Sequence, residues 1–174
     1  MTQTLDALKN RRSIRSFKQD PIPEDVLNTI LEAGVYAPTG MGKQAPIIIA
    51  VTNKDVRDQL SKMNASIMGT DKDPFYGAPV VLVVLADKSI PTHVYDGSCV
   101  MENLMLAAYD QGVGSCWIHR AKEEFESEEG KEILKSLGIE GEYEGIGHVI
   151  LGYPEGKLSP TPKERKENYI YCIK

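Results

Sequence analysis

Pro79-Val80-Val81-Leu82-Val83-Val84-Leu85-Ala86 (PVVLVVLA) contains no polar side chain. A strand with one wet face alternates apolar and polar residues, whereas a strand covered on both faces does not. This run therefore predicts a strand at the centre of a sheet with helices above and below it. Three shorter apolar stretches read as its neighbours: Pro46–Val51 (PIIIAV), Val113–Ile118 (VGSCWI) and Gly147–Gly152 (GHVILG).

Between the strands the apolar period changes from continuous to helical. Helices are expected over Thr4–Asn10, Pro23–Tyr36, Lys54–Met63, Tyr95–Gln111 and Lys122–Leu137. The second opens with Pro23, suited to a first helical turn, followed by Glu24 and Asp25, which complement the N-terminal dipole. Ala37-Pro38 stops it. The helix carrying Val100, Met101, Leu104, Met105, Ala107 and Ala108 is apolar around most of its circumference, the pattern of a central core or dimer helix, with its methionines as packing residues.

The 174-residue chain is 41% hydrophobic and 26% charged, ordinary for a globular protein. No apolar stretch approaches the roughly 20 residues that cross a bilayer, and Met1–Asp6 lacks the apolar segment of a secretory signal, so a cytoplasmic setting with no membrane partner is expected. Cys99, Cys116 and Cys172 are odd in number and widely spaced, which predicts reduced thiols. His93, His119 and His148 show no close ligand spacing, so no metal centre is expected. His148 reads as a satisfied core or interface residue.

Against a net charge of −5, from 20 basic and 25 acidic residues, the run Arg11-Arg12-Ser13-Ile14-Arg15-Ser16-Phe17-Lys18 stands out. Guanidinium groups interleaved with hydroxyls suit a phosphate ester. The competing reading is a solvated surface run, and on these residues alone it stands. The basic excess is too local for a nucleic-acid partner.

Two glycine-bearing stretches are further candidates. Ala37-Pro38-Thr39-Gly40-Met41-Gly42-Lys43-Gln44-Ala45-Pro46 joins a helix end to a strand and permits close backbone approach to a flat ligand. Gly112-Val113-Gly114-Ser115-Cys116-Trp117-Ile118-His119-Arg120 enters a strand from a helix, the reverse of a dinucleotide fingerprint. No nucleophile elbow, Walker loop or close Cys and His pairing occurs, so an enzyme built from this chain would rely on a cofactor for its reactive atom, with no catalytic side chain assigned.

In order and spacing, RRSIRSF, APTGMGKQAP, Gly77-Ala78-Pro79, ENLMLAA followed by GVGSCWI, GHVILGYP and the late PKER together resemble the flavin-dependent nitroreductase family in its short-chain form. The resemblance covers nearly the whole chain. It implies an α+β fold, a three-layer sandwich whose mostly antiparallel central sheet is flanked by helices. One domain would span 1–174, with 159–174 as a C-terminal extension exchanged between the subunits of a homodimer. The Pro-rich Ser159-Pro160-Thr161-Pro162 followed by Tyr169, Ile170, Tyr171 and Ile173 suits such an arm.

By the same resemblance, Arg11, Arg12 and Ser13 match the run that binds the FMN phosphate and ribityl chain. Arg15 matches a basic position at the pyrimidine edge, where a cation stabilises the negative charge that reduction places near N1 and C2=O. Pro38, Thr39 and Gly40 match a loop along the isoalloxazine, usually from the other subunit. Trp117, Ile118 and His119 match a segment whose main-chain N–H reaches N5. Lys163 and Arg165 match a basic pair closing on the phosphate, so the termini should meet. The implied activity is ping-pong transfer from NADH or NADPH to a small electron-poor acceptor such as a nitroaromatic or a quinone.

Some positions depart from the family. Gly42 stands where Asn is common, Glu102 where Gln or a small residue is, and His119-Arg120 where Glu or Pro followed by Gly is. Arg120 is therefore a candidate substrate contact for an anionic group, with surface solvation the competing reading. The segment Asn64–Tyr76 is expected at the entrance, with Asp71, Lys72 and Asp73 solvated. A flavin carrier or redox regulator without turnover, and an anion-binding module without flavin, are the alternative functions.

Overall fold

The computed structural model describes residues 2–174; Met1, which opens the segment tested for a secretory signal, lies outside the described residues. The order is α1 (Gln3–Asn10), α2 (Glu24–Val35), a short 3-10 turn (Gly40–Gly42), β1 (Pro46–Val51), α3 (Lys54–Met68), β2 (Val80–Asp87), α4 (His93–Asp110), β3 (Gly114–Ile118), α5 (Ala121–Glu126), α6 (Glu128–Ser136) and β4 (Tyr143–Gly152). The sheet order is β1-β2-β4-β3 and every pairing is antiparallel.

β2 is buried on both faces, as its apolar run requires. Val80, Leu82, Val84 and Ala86 meet α2 and α4 through Leu27, Ile30, Met101 and Leu104, while Val81, Val83 and Leu85 meet α3, α5 and α6 through Leu60, Phe125 and Leu134. Each fully buried Val or Leu contributes about 2 kcal/mol. The helical layers on the two faces complete the expected α+β sandwich. Met101 and Met105 are packing residues of α4.

The expected elements are present with altered bounds. β1 is an edge strand and mostly half-buried, contrary to burial on both faces, because only β2 pairs with it. Pro23 precedes the first turn of α2. α3 continues past Met63 to Met68, starting from the Asn53 cap and ending at Gly69 in the left-handed conformation (φ 70°). The single helix expected over Lys122–Leu137 is two. Ser127 is extended there, its Oγ donating to the Glu124 carbonyl (2.6 Å) and accepting from the Gly130 amide (3.1 Å), so it ends α5 and caps α6.

β4 begins at Tyr143, earlier than Gly147, and carries a bulge opposite Val84 and Leu85. Its glycines set how closely other elements approach. A Cβ on Gly145 would lie 2.2 Å from the Ala121 carbonyl, and one on Gly147 2.6 Å from the Trp117 indole nitrogen. The start of α5 and the Trp117 ring thus rest directly on the β4 backbone. Gly145→Ala is expected to lower stability by about 3 kcal/mol in denaturant unfolding, since backbone would have to shift. Gly156→Ala, with open space around it, is expected to change stability by less than about 0.5 kcal/mol.

Candidate active site

The outer edge of β3 has no full strand beside it, and the basic N-terminal run lies there. Ser13 bridges Ser115 in parallel register, and the Ile14 amide donates to the Ser115 carbonyl (2.9 Å). Farther on, Phe17 bridges Pro154 and the Lys18 amide donates to the Tyr153 carbonyl (2.8 Å). Ile14 and Phe17 are buried in the core beneath. With these two side chains fixed inward, Ser13, Arg15 and Ser16 are left on the surface.

Just past the Ser13–Ser115 bridge, Arg15 shares a cavity wall with Trp117. Arg15 and the segment Cys116–Arg120 line one cavity of about 310 Å³, together with Met68, Thr70, Lys72, Asp73, Pro74 and Tyr76. The later residues of the segment expected at the entrance line this cavity. The segment's first residue, however, is fully buried: Asn64 lies inside, below the end of β3. The Arg15 guanidinium stands 5.9 Å over the Tyr76 ring.

Asp73 corrects the expectation of a solvated carboxylate. It accepts from Ser61 Oγ (2.6 Å), from the Phe75 amide (2.8 Å), from the Gly77 amide (2.7 Å) and from Arg57 Nη2. Arg57 is itself buried and donates through Nε to the Ala78 carbonyl (3.0 Å). Burial pushes the Asp73 carboxyl up, but the hydrogen bonds from Ser61, Arg57 and the two amides outweigh it and hold the group below its ordinary value of 3.8. Asp71 and Lys72 are exposed as expected.

The Pro38–Gly40 loop is held elsewhere. The Gly40 amide donates to Asp96 Oδ1 (3.0 Å), Asp96 Oδ2 accepts from Thr92 Oγ1 (3.0 Å), and a Cβ on Gly40 would lie 2.3 Å from Thr92 Oγ1. Thr39 Oγ1 accepts from the Gln44 amide (3.1 Å) and Thr39 lines a second cavity, between α2 and β1. Within one chain this loop and Arg15 line different cavities. Asp96, buried at the start of α4, gave no signal in the sequence because only the fold brings it under Gly40.

Arg11 Nη1 and Arg12 Nε are buried with no acceptor among the described residues, although Arg12 Nη1 donates to the Arg11 carbonyl (2.5 Å). Buried guanidinium donors without partners are costly, and an anion in contact with them removes the cost. The C-terminal segment approaches this end through Ser159, whose Oγ donates to the Asn10 carbonyl (2.6 Å). Lys163 and Arg165 are exposed and form no ion pair among the described residues. Gly42, where a side chain was missed, has φ 66°, a backbone that favours glycine.

The sequence profile of the nitroreductase family matches residues 8–153. The chain belongs to the nitroreductase family. An FMN-bound nitroreductase crystal structure from Bacteroides fragilis is 31% identical, with a TM-score of 0.89 and 100% of each chain covered. Another, from Desulfitobacterium hafniense, is 26% identical with a TM-score of 0.87 over 100% of each chain. A curated relative from Bacillus subtilis, an FMN reductase [NAD(P)H], is 30% identical over 96% of this chain and 72% of its own length. Other curated relatives are spanned over 37% to 88% of their lengths.

Arg120 is left-handed (φ 81°), and Met41, Gln44 and Tyr76 also have positive φ. These strained non-glycine residues sit in the loops that line or flank the two cavities. Among the described residues no cluster of three or more His, Cys, Asp or Glu could hold a metal ion, and no helix is long and apolar enough to cross a membrane.

A lowered Asp73 value means its contribution is fully present above the unfolded value near 3.8 and lost as pH falls through the lower folded value. Asp73→Asn is therefore expected to cost about 1 to 2 kcal/mol at pH 7, allowing for partial exposure, with the gap from the parent closing below about pH 3.8. Thermal melts across pH 2 to 7 check both the size and the sign.

Proposed function

We propose that this nitroreductase is an FMN-dependent NAD(P)H oxidoreductase that reduces small electron-poor acceptors. The observation that carries the reading is the pair of unpartnered buried guanidinium nitrogens of Arg11 and Arg12, in the same short run as Arg15, which lines a cavity with Trp117–Arg120. When bound, FMN supplies the two-electron chemistry between NAD(P)H and an acceptor.

The chain's own residues then have distinct tasks. Arg11, Arg12 and Ser13 hold the phosphate end. Arg15 provides positive charge at the pyrimidine edge, where electron density grows on reduction. The backbone of Trp117, Ile118 and His119 lies along the ring, and the half-buried Arg120 faces substrate, favouring an anionic acceptor or the extra phosphate of NADPH. Pro38, Thr39 and Gly40 approach from the partner subunit.

A homodimer with interfacial sites agrees with several features. The flavin loop and Arg15 are in separate cavities of one chain, and Tyr36, Met41 and Tyr95 stand 78%, 86% and 73% exposed. The 159–174 arm presents Ile170 and Tyr171 at 81% and 84% exposure, a surface that an exchange onto the partner would cover. There Lys163 and Arg165 would join the phosphate site. Cys99, Cys116 and Cys172 form no disulfide among the described residues, which suits a cytoplasmic setting.

The purified protein is expected to carry yellow FMN that either NADH or NADPH bleaches anaerobically; a bound flavin that neither bleaches would instead favour a carrier, and a colourless protein that takes up no FMN would overturn the flavin reading. Arg11→Ala and Arg165→Ala are each expected to weaken FMN binding about tenfold or more, from loss of a charge-assisted contact. Titration of the apoprotein by flavin fluorescence measures this. Arg120→Ala is expected to raise KM for an anionic acceptor or for NADPH about threefold or more relative to neutral acceptors, and unchanged KM values for all of them would remove Arg120 from the substrate site.

A further inference from the structure

Asn64, Glu124 and His148 are each 0% exposed, and none belongs to the site as described so far. They come from α3, α5 and β4 and meet beneath the turn where β3 passes into α5. Asn64 Nδ2 donates to the His119 carbonyl (2.7 Å) and also to Glu124 Oε1. Asn64 Oδ1 faces Arg120 Nη1 at 3.5 Å. Glu124 Oε2 lies 3.1 Å from His148 Nε2, out of line for a hydrogen bond, and the His148 ring packs on Phe75 with centroids 5.1 Å apart.

Burying a carboxylate, an amide and an imidazole together is costly, and replacing such a cluster with apolar residues is often neutral or stabilising. Stability alone is therefore a weak reason for it. The one group outside the cluster that Asn64 Nδ2 holds is the His119 carbonyl. In a trans peptide the C=O and N–H point in opposite directions. A carbonyl drawn down to Asn64 thus turns the Arg120 N–H of the same peptide away from Asn64, and His119 and Arg120 both line the cavity above. No protein group accepts from the His119 or Arg120 amide among the described residues. The same grip holds Arg120 at φ 81°, where a residue with a Cβ is strained.

We propose that Asn64, itself oriented by Glu124 and His148, is a positioning residue that fixes the His119–Arg120 peptide so that its single donor, the Arg120 N–H, meets the reactive edge of the flavin. The inference rests on the FMN reading and adds a buried polar support to it. Asn64 Nδ2 has two protons and two acceptors, so Glu124 Oε1 sets the direction of the amide that grips the turn. His148 borders the other carboxylate oxygen and limits where Glu124 can swing.

Asn64→Ala should separate orientation from affinity. The rate at which NADH bleaches bound flavin anaerobically is expected to fall at least about tenfold, the equivalent of one hydrogen bond, while the FMN dissociation constant changes less than about threefold because Arg11 and Arg12 are untouched. The visible absorption band of the bound flavin should shift with it. Glu124→Gln keeps an acceptor for Asn64 and should lose no more than about threefold in the same rate. Where Asn64→Ala does not fold, Asn64→Ser carries the same expectation, since its hydroxyl is too short to bridge both acceptors.

A variant that binds FMN with unchanged bleaching rate and spectrum, beside a wild-type protein that is bleached normally, overturns this proposal alone. A fall in FMN affinity as large as the fall in rate also overturns it, because that marks general damage to the site. A wild-type protein that takes no FMN overturns the underlying reading, and the positioning role with it.

Discussion

The outer edge of β3 is the constraint on which the rest of the molecule depends. A strand at the edge of a sheet exposes N–H and C=O groups that need partners, and here the Ile14 amide donates to the Ser115 carbonyl on one side while β4 pairs the other, with Phe17 bridging Pro154 just past β4. That stitching fixes Ile14 and Phe17 in the core and leaves Arg15 on the surface, on the wall of a cavity. The basic run is thus a structural element first. Its charge is placed by backbone hydrogen bonds made for the sake of the sheet.

β4 governs the opposite side of the same region. Because Gly145 and Gly147 have no side chains, the first turn of α5 and the Trp117 ring settle onto its backbone, and the His119–Arg120 turn between them is held within a narrow space. Asp73 does similar work across the cavity, gathering Ser61, Arg57 and two loop amides so that Tyr76 is presented under Arg15. Rigid support on both walls suits a site whose chemistry belongs to a cofactor and whose protein contribution is position and charge.

Much of this was legible in the residues. PVVLVVLA announces a strand buried on both faces, because no other placement satisfies its side chains, and the apolar circumference of α4 announces a helix inside the protein. The break at Ser127 was hidden by a continuous helical period: only the capping bonds of that hydroxyl reveal that two helices meet there. Asp73 gave no sign of its partners because Arg57 and Ser61 lie on the preceding helix, 16 and 12 residues earlier, and only the fold turns the chain back onto them. Asn64 and Glu124 carried no local signal at all, being ordinary polar residues in helical stretches.

The sequence by itself determined the layers and the kinds of chemistry available. Periodicity records which faces must leave water, and the clustered arginines record a wish for an anion. It also carried enough ordered motifs to indicate the family. Only the tertiary structure decided which residues share a wall: the parallel register of Ser13 with Ser115, the seating of α5 on Gly145, and the meeting of Asn64, Glu124 and His148 under one peptide. Those arrangements join elements far apart in the chain, and the physical reason they escape a linear reading is that packing and hydrogen-bond geometry act across space with no periodic trace along the sequence.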